Sequence, residues 1–92
     1  MTPAKGDVAL LEKLLSEAGR TRLNVVNGAS SLVVSSADES GVQRERLRLV
    51  AIAGLRYRAE FADAGRWKNA SISGTLERVV ADLLKSHASR MV

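Results

Sequence analysis

The chain has no cysteine, one histidine, one proline and only three aromatic residues among its 92. Without cysteine there is no disulfide framework, no thiolate zinc site and no cysteine nucleophile. A small domain that does without disulfides fits a reducing interior, so a cytoplasmic setting is expected. His87, alone, cannot be completed to a zinc site, and no metal or cofactor is expected. It falls on the apolar side of the C-terminal helical stretch, where a structural role is the simpler reading. No apolar run approaches the ~18 residues that cross a membrane. The opening Met1-Thr2-Pro3-Ala4-Lys5-Gly6-Asp7 lacks the apolar core of a signal peptide. A membrane partner is therefore not expected.

The motifs of chemistry are missing too. Neither a phosphate-binding P-loop nor a dinucleotide fingerprint occurs, and there is no Gly-x-Ser-x-Gly elbow. The serines (Ser30, Ser31, Ser35, Ser36, Ser40) cluster in and around loops, far in sequence from His87. Asp38 and Glu39 are neighbours in a polar segment and read as solvated. With no base beside a nucleophile, the chain is expected not to be an enzyme.

What is present is a compact apolar inventory and a localised positive charge. Residues 1–92 suffice for one domain that buries roughly 60–65% of its unfolded surface. The net charge is +4, and residues 44–68 hold seven basic side chains against three acidic ones. Ten of the fourteen basic residues are arginine, whose planar fork suits phosphate or carboxylate.

The chain reads as a first helix over about residues 4–18, with Val8, Leu11, Leu14, Leu15 and Ala18 as its stripe and Gly19 as its stop. Thr2-Pro3 fits a cap and first turn. Strands at 22–26 and 32–34 flank the hairpin signal Asn27-Gly28. A polar loop over 35–43 is the expected mobile segment. Strands at 43–52 and 56–62 join through Ala53-Gly54-Leu55. An odd loop length is required there, because a slip of one residue would turn Arg58 onto the leucine face. That register sets Leu47 against Phe61, Arg48 against Glu60 and Ala51 against Tyr57. Residues 63–72 read as a loop carrying Trp67, and the last helix starts near Ser73 or Thr75. The result is a single two-layer α+β domain in the order α-β-β-β-β-α, its four-stranded antiparallel sheet covered by both helices on one face.

Alternation in a strand sends successive side chains to opposite faces. Arg44, Arg46, Arg48, Arg56 and Arg58 are thus expected to share the open face. Leu47, Leu49, Leu55, Tyr57 and Phe61 are expected on the packed one. Val50 and Ile52 fall among the arginines, and Arg66, Trp67 and Lys68 follow in the next loop. These ten residues (Arg44, Arg46, Arg48, Val50, Ile52, Arg56, Arg58, Arg66, Trp67 and Lys68) form the candidate binding site. The bland alternatives are a face charged for solubility and a Trp67 folded over the sheet edge to close the core.

Apolar side chains inside a cationic rim suit a protein interface. The expected partner is a protein or nucleoprotein complex with an acidic or nucleic-acid-binding surface, which the chain would regulate or inhibit. In size and lack of motifs the chain is similar to small inhibitors from phages and mobile elements, including inhibitors of bacterial CRISPR complexes, although no residue pattern ties it to such a family. Direct nucleic-acid binding through the same arginines is the alternative, without the exposed strand aromatics or the lysine-rich helix start of the common RNA-binding modules. A structural subunit of a larger assembly is the third reading. A homodimer through an edge strand over 29–36 is also anticipated.

Overall fold

The computed structural model describes residues 1–91. Helix α1 (Asp7–Glu17) is followed by β1 (Asn24–Asn27), β2 (Ser31–Ala37), β3 (Gln43–Ile52), β4 (Arg56–Asp63), β5 (Arg66–Gly74) and α2 (Leu76–Ser86), and a single 3-10 turn follows at Ala88–Arg90. Each strand pairs antiparallel with its sequence neighbour, so the sheet is a meander in the order β1-β2-β3-β4-β5. The domain is α+β as expected, but with five strands rather than four.

The additional strand is the stretch expected to be a loop, residues 63–72. Ala64 and Gly65, at φ 50° and 77°, are both left-handed and close a two-residue turn between the paired Asp63 and Arg66. A tight hairpin needs that backbone, but its usual sequence signal is Asn-Gly or Asp-Gly rather than Ala-Gly. The alternation of β5 is also broken. Between the pairs Arg58–Ser73 and Glu60–Asn69, Ala59 faces three residues of β5, and Ser71 sits at φ 57°. A period-2 pattern cannot survive that insertion.

The helix ends follow simple capping chemistry. Helix α1 begins at Asp7 behind Gly6 at φ 90°, three residues later than Thr2-Pro3 suggest. It stops as the spacing predicts: the Arg20 N–H donates to Leu15 O at 2.8 Å and the Gly19 N–H to Ser16 O at 3.0 Å, a Schellman closure around a left-handed Gly19. Helix α2 starts behind Thr75, whose hydroxyl accepts from the Arg78 N–H.

The core lies between both helices and one face of the sheet. It joins Leu11 and Leu15 of α1 to Leu32, Val34, Leu47, Leu49, Tyr57 and Ala59 of the sheet, and to Leu76, Val79, Val80 and Leu83 of α2. Each fully buried aliphatic of this kind contributes about 1.5–3 kcal/mol. The β3–β4 register is the expected one, with Leu47 opposite Phe61, Arg48 opposite Glu60 and Ala51 opposite Tyr57. Leu55 is a correction: it sits at the tip of the β3–β4 loop, left-handed at φ 57° and 79% exposed, outside the packed face. The anticipated edge strand over 29–36 is a second correction. Strand β2 is hydrogen-bonded on both sides, and the edges are β1 and β5.

Tyr57 ties α1 to the sheet. Its hydroxyl donates to Asp7 Oδ2 at 2.6 Å and accepts from the Ala4 N–H at 3.3 Å. Burial, reinforced by the Asp7 carboxylate, pushes the phenol up to about 12 from its usual 10. A folded-state value above the unfolded one means that this stability is fully present below pH 10 and is lost as pH rises from 10 to 12. As the only tyrosine, Tyr57 gives an unambiguous tyrosinate absorbance near 295 nm; its midpoint is expected near 12 in the folded protein and near 10 in denaturant. Tyr57→Phe should lower stability by about 1.5–3 kcal/mol, the range for a hydrogen bond to a charged group. A separate gain is expected at the β4–β5 turn. Ala64→Asn replaces a left-handed alanine with the residue that tolerates that conformation, and should raise the melting temperature by a few degrees.

Candidate binding surface

Neither helix covers the second face of the sheet. Cross-strand partners share a face, so the register assembles it directly. Val26 lies opposite Val33, Val33 opposite Arg48, and Arg48 opposite Glu60. Val50 lies opposite Arg58, and Ile52 opposite Arg56. Val33 and Val50 are diagonal neighbours, close enough for their side chains to meet. The outer face therefore carries an aliphatic diagonal, Val26–Val33–Val50–Ile52, with arginines along one side. Val26 and Val33 are not among the ten sequence candidates, although alternation places them on that face.

Glu60 organises the cationic side. Its carboxylate accepts from Arg48 Nε and also lies 3.5 Å from an Arg58 terminal nitrogen. The Arg48 guanidinium lies over the Trp67 ring, 4.7 Å from its centroid. Trp67 is half-buried on β5, opposite Ala62, so it flanks the outer face and does not close the core. One carboxylate between two arginines leaves a net positive charge. Arg56, exposed at the start of β4, has no carboxylate within ion-pairing distance among the described residues.

Arg44 and Arg46 do not share this face. Val34 pairs with Leu47 but Ser35 pairs with Glu45, so Arg46 is an extra residue in β3. A one-residue bulge inverts the alternation beyond it. Arg44 then lies opposite Ser36, whose side chain is buried on the helix side, and Arg46 Nε donates to Ser36 Oγ at 3.0 Å. Arg66 and Lys68 also fall on the helix side, opposite Asp63 and Phe61. The ten sequence candidates are thus two groups. Arg48, Val50, Ile52, Arg56, Arg58 and Trp67 belong to the outer face; Arg44, Arg46, Arg66 and Lys68 sit at one end of the sheet on its other side.

At that end the sheet forks. Pairing of β3 with β4 ends at Leu47–Phe61, while β3 runs on with β2 and β4 runs on with β5. A cleft of about 870 Å³ opens between the two hairpin ends, its walls including Arg44, Arg46, Arg66, Trp67 and Arg90. The expected mobile loop shrinks here to 38–42. Asp38 ties it down by accepting from the Ser40 and Val42 N–H groups at 2.9 and 3.0 Å and from Arg44 Nε at 3.0 Å. The Arg44 bond, with help from the Val42 N–H, holds the Asp38 carboxyl below its ordinary value. Lys68, 2.9 Å from Asp63, does the same for that carboxyl.

His87 packs against Phe61 with the rings tilted, 5.3 Å between centroids, at the C-terminal end of α2. Among the described residues no three His, Cys, Asp or Glu side chains are grouped to hold a metal, and no helix is long and apolar enough to cross a membrane. Comparison with protein-family models, with curated proteins and with solved structures gives no match.

Glu60 is only 13% exposed and answers to two arginines, whereas the Arg58 side chain is 43% exposed and can return to water. Glu60→Ala is therefore expected to cost more stability than Arg58→Ala, by about 1 kcal/mol in chemical denaturation. It should also shift Trp67 emission, since Arg48 loses its anchor.

Proposed function

We propose that this chain is a non-enzymatic binding protein that docks on an acidic protein surface through its outer sheet face and regulates or inhibits the partner by covering it. The observation that carries this reading is the aliphatic diagonal Val26–Val33–Val50–Ile52, uncovered by either helix and bordered by Arg56 and Arg58. A fully polar, cationic face would suit phosphates. An apolar centre with a charged margin suits a protein, because burial of the centre supplies affinity while the margin selects the partner's charge. Trp67 beside Arg48 adds an aromatic and an arginine, two residue types on which binding energy concentrates. Inhibition of a nucleic-acid-handling complex is one form such docking takes, with the arginines occupying an acidic patch.

Selection from a random peptide library tests this. Enriched peptides are expected to place Asp or Glu beside aliphatic or aromatic residues, and to bind at least tenfold more weakly to Val50→Glu and to Arg56→Glu. A library that enriches nothing, or peptides indifferent to both substitutions, would count against the reading. Anisotropy titrations with single-stranded and duplex oligonucleotides at about 50 and about 200 mM salt cover the alternative. Binding that collapses log-linearly over that range, and that Arg56→Glu abolishes, would reassign the face to nucleic acid.

A further inference from the structure

The cleft between the two hairpin ends has a different chemistry from the outer face. We infer that it is a separate binding site for a small organic phosphate carrying a planar ring, of the nucleoside phosphate class. Its walls bring arginines from three parts of the chain together: Arg44 and Arg46 from β3, Arg66 from the start of β5, and Arg90 from the segment after α2. The sequence gives no warning of that meeting, because the bulge at Arg46 and the β5 hairpin create it.

The arginines are held in a way that leaves their recognition ends open. Arg46 is fixed through Nε to the hydroxyl of Ser36, a side chain only 1% exposed. Arg44 is fixed through Nε to Asp38. Arg90 is fixed by its guanidinium face, 4.3 Å from the Phe61 ring centroid. Neither Arg44 nor Arg46 commits a terminal nitrogen to another side chain among the described residues, and those nitrogens form the fork that grips phosphate oxygens. Guanidiniums anchored beforehand lose little freedom on binding, which favours affinity.

Four carboxylates, those of Asp38, Glu39, Glu45 and Asp63, also line the cleft. Asp38 is engaged by Arg44, and Asp63 by Lys68. Glu39 and Glu45 are exposed, and among the described residues neither forms an ion pair with Arg46, Arg66 or Arg90. Trp67 supplies an aromatic wall, and base–aromatic stacking is a recognised source of affinity for nucleotides. A cleft of about 870 Å³ falls in the size range of small-molecule sites.

Trp67 is the only tryptophan and lines the cleft, so its fluorescence responds to a ligand there, and the Arg56 variant separates that response from binding on the outer face. The test titrates the protein with inorganic phosphate, pyrophosphate, adenosine monophosphate and adenosine diphosphate at about 50 mM salt, with calorimetry alongside. Saturable quenching by the nucleotides is expected, at least tenfold tighter than by inorganic phosphate. Arg46→Ala and Arg66→Ala should each weaken nucleotide binding at least tenfold, with Arg46→Lys intermediate and Arg56→Ala on the outer face without effect. Circular dichroism establishes that each variant is folded, and the exposed Arg66 keeps the test valid if Arg46→Ala does not fold. Absence of saturation below about 10 mM nucleotide would overturn the inference. So would equal weakening by Arg56→Ala and Arg66→Ala, or equal affinity for phosphate with and without the ring. Peptide binding by the outer face is read through Val50 and Arg56, which lie outside the cleft, so failure of one reading is distinguishable from failure of the other although both sites touch Trp67.

Discussion

Two helices of eleven residues each are all this chain has to cover a five-stranded sheet. They can shield one face and no more. Every buried aliphatic is spent on that face, and the other must meet solvent or a partner. The candidate site exists because of that limit. Alternation then does the sorting: leucine, tyrosine and alanine go inward from β3 and β4, while Val50, Ile52, Arg56 and Arg58 go outward. The two central strands specify the core and the surface at once.

Within that plan, single residues redistribute the charge. One additional residue in β3 moves Arg44 and Arg46 to the helix side, where a buried serine receives Arg46. The same bulge lies where β3 parts from β4, so the hairpin ends diverge. An arginine row that would have been one continuous ribbon becomes two clusters separated by the thickness of the sheet. Trp67 and Arg48 stand at the junction, since the ring flanks the outer face and also lines the cleft. A ligand in the cleft and a partner on the outer face would press on the same indole.

The parts legible from sequence were those governed by unbroken periodicity. The α2 stripe, the leucine face of β3, the three-residue β3–β4 loop and the Arg48–Glu60 pair all follow from counting by two or by 3.6. What escaped was irregular. The β5 hairpin turns on an alanine in a left-handed conformation, which no composition rule flags. The bulge at Arg46 leaves no mark in a sequence that alternates without interruption through it, and shows only in the pairing with Ser35 and Ser36 on the neighbouring strand. Arg90, a dozen residues beyond the nearest other arginine, joins the cleft only because α2 returns the chain across the sheet to Phe61.

The two edges of the sheet are not equivalent, and that asymmetry bears on self-association. Strand β5 carries the insertion around Ser71, which interrupts its row of backbone donors and acceptors and keeps an incoming strand from docking along its full length. Strand β1, four residues long, has no such guard. Growth of the sheet from copy to copy would need both edges to be competent. A second copy added at β1 would make a self-complementary pair that closes at two copies, whereas the interrupted β5 would offer a further copy no ladder of equal length.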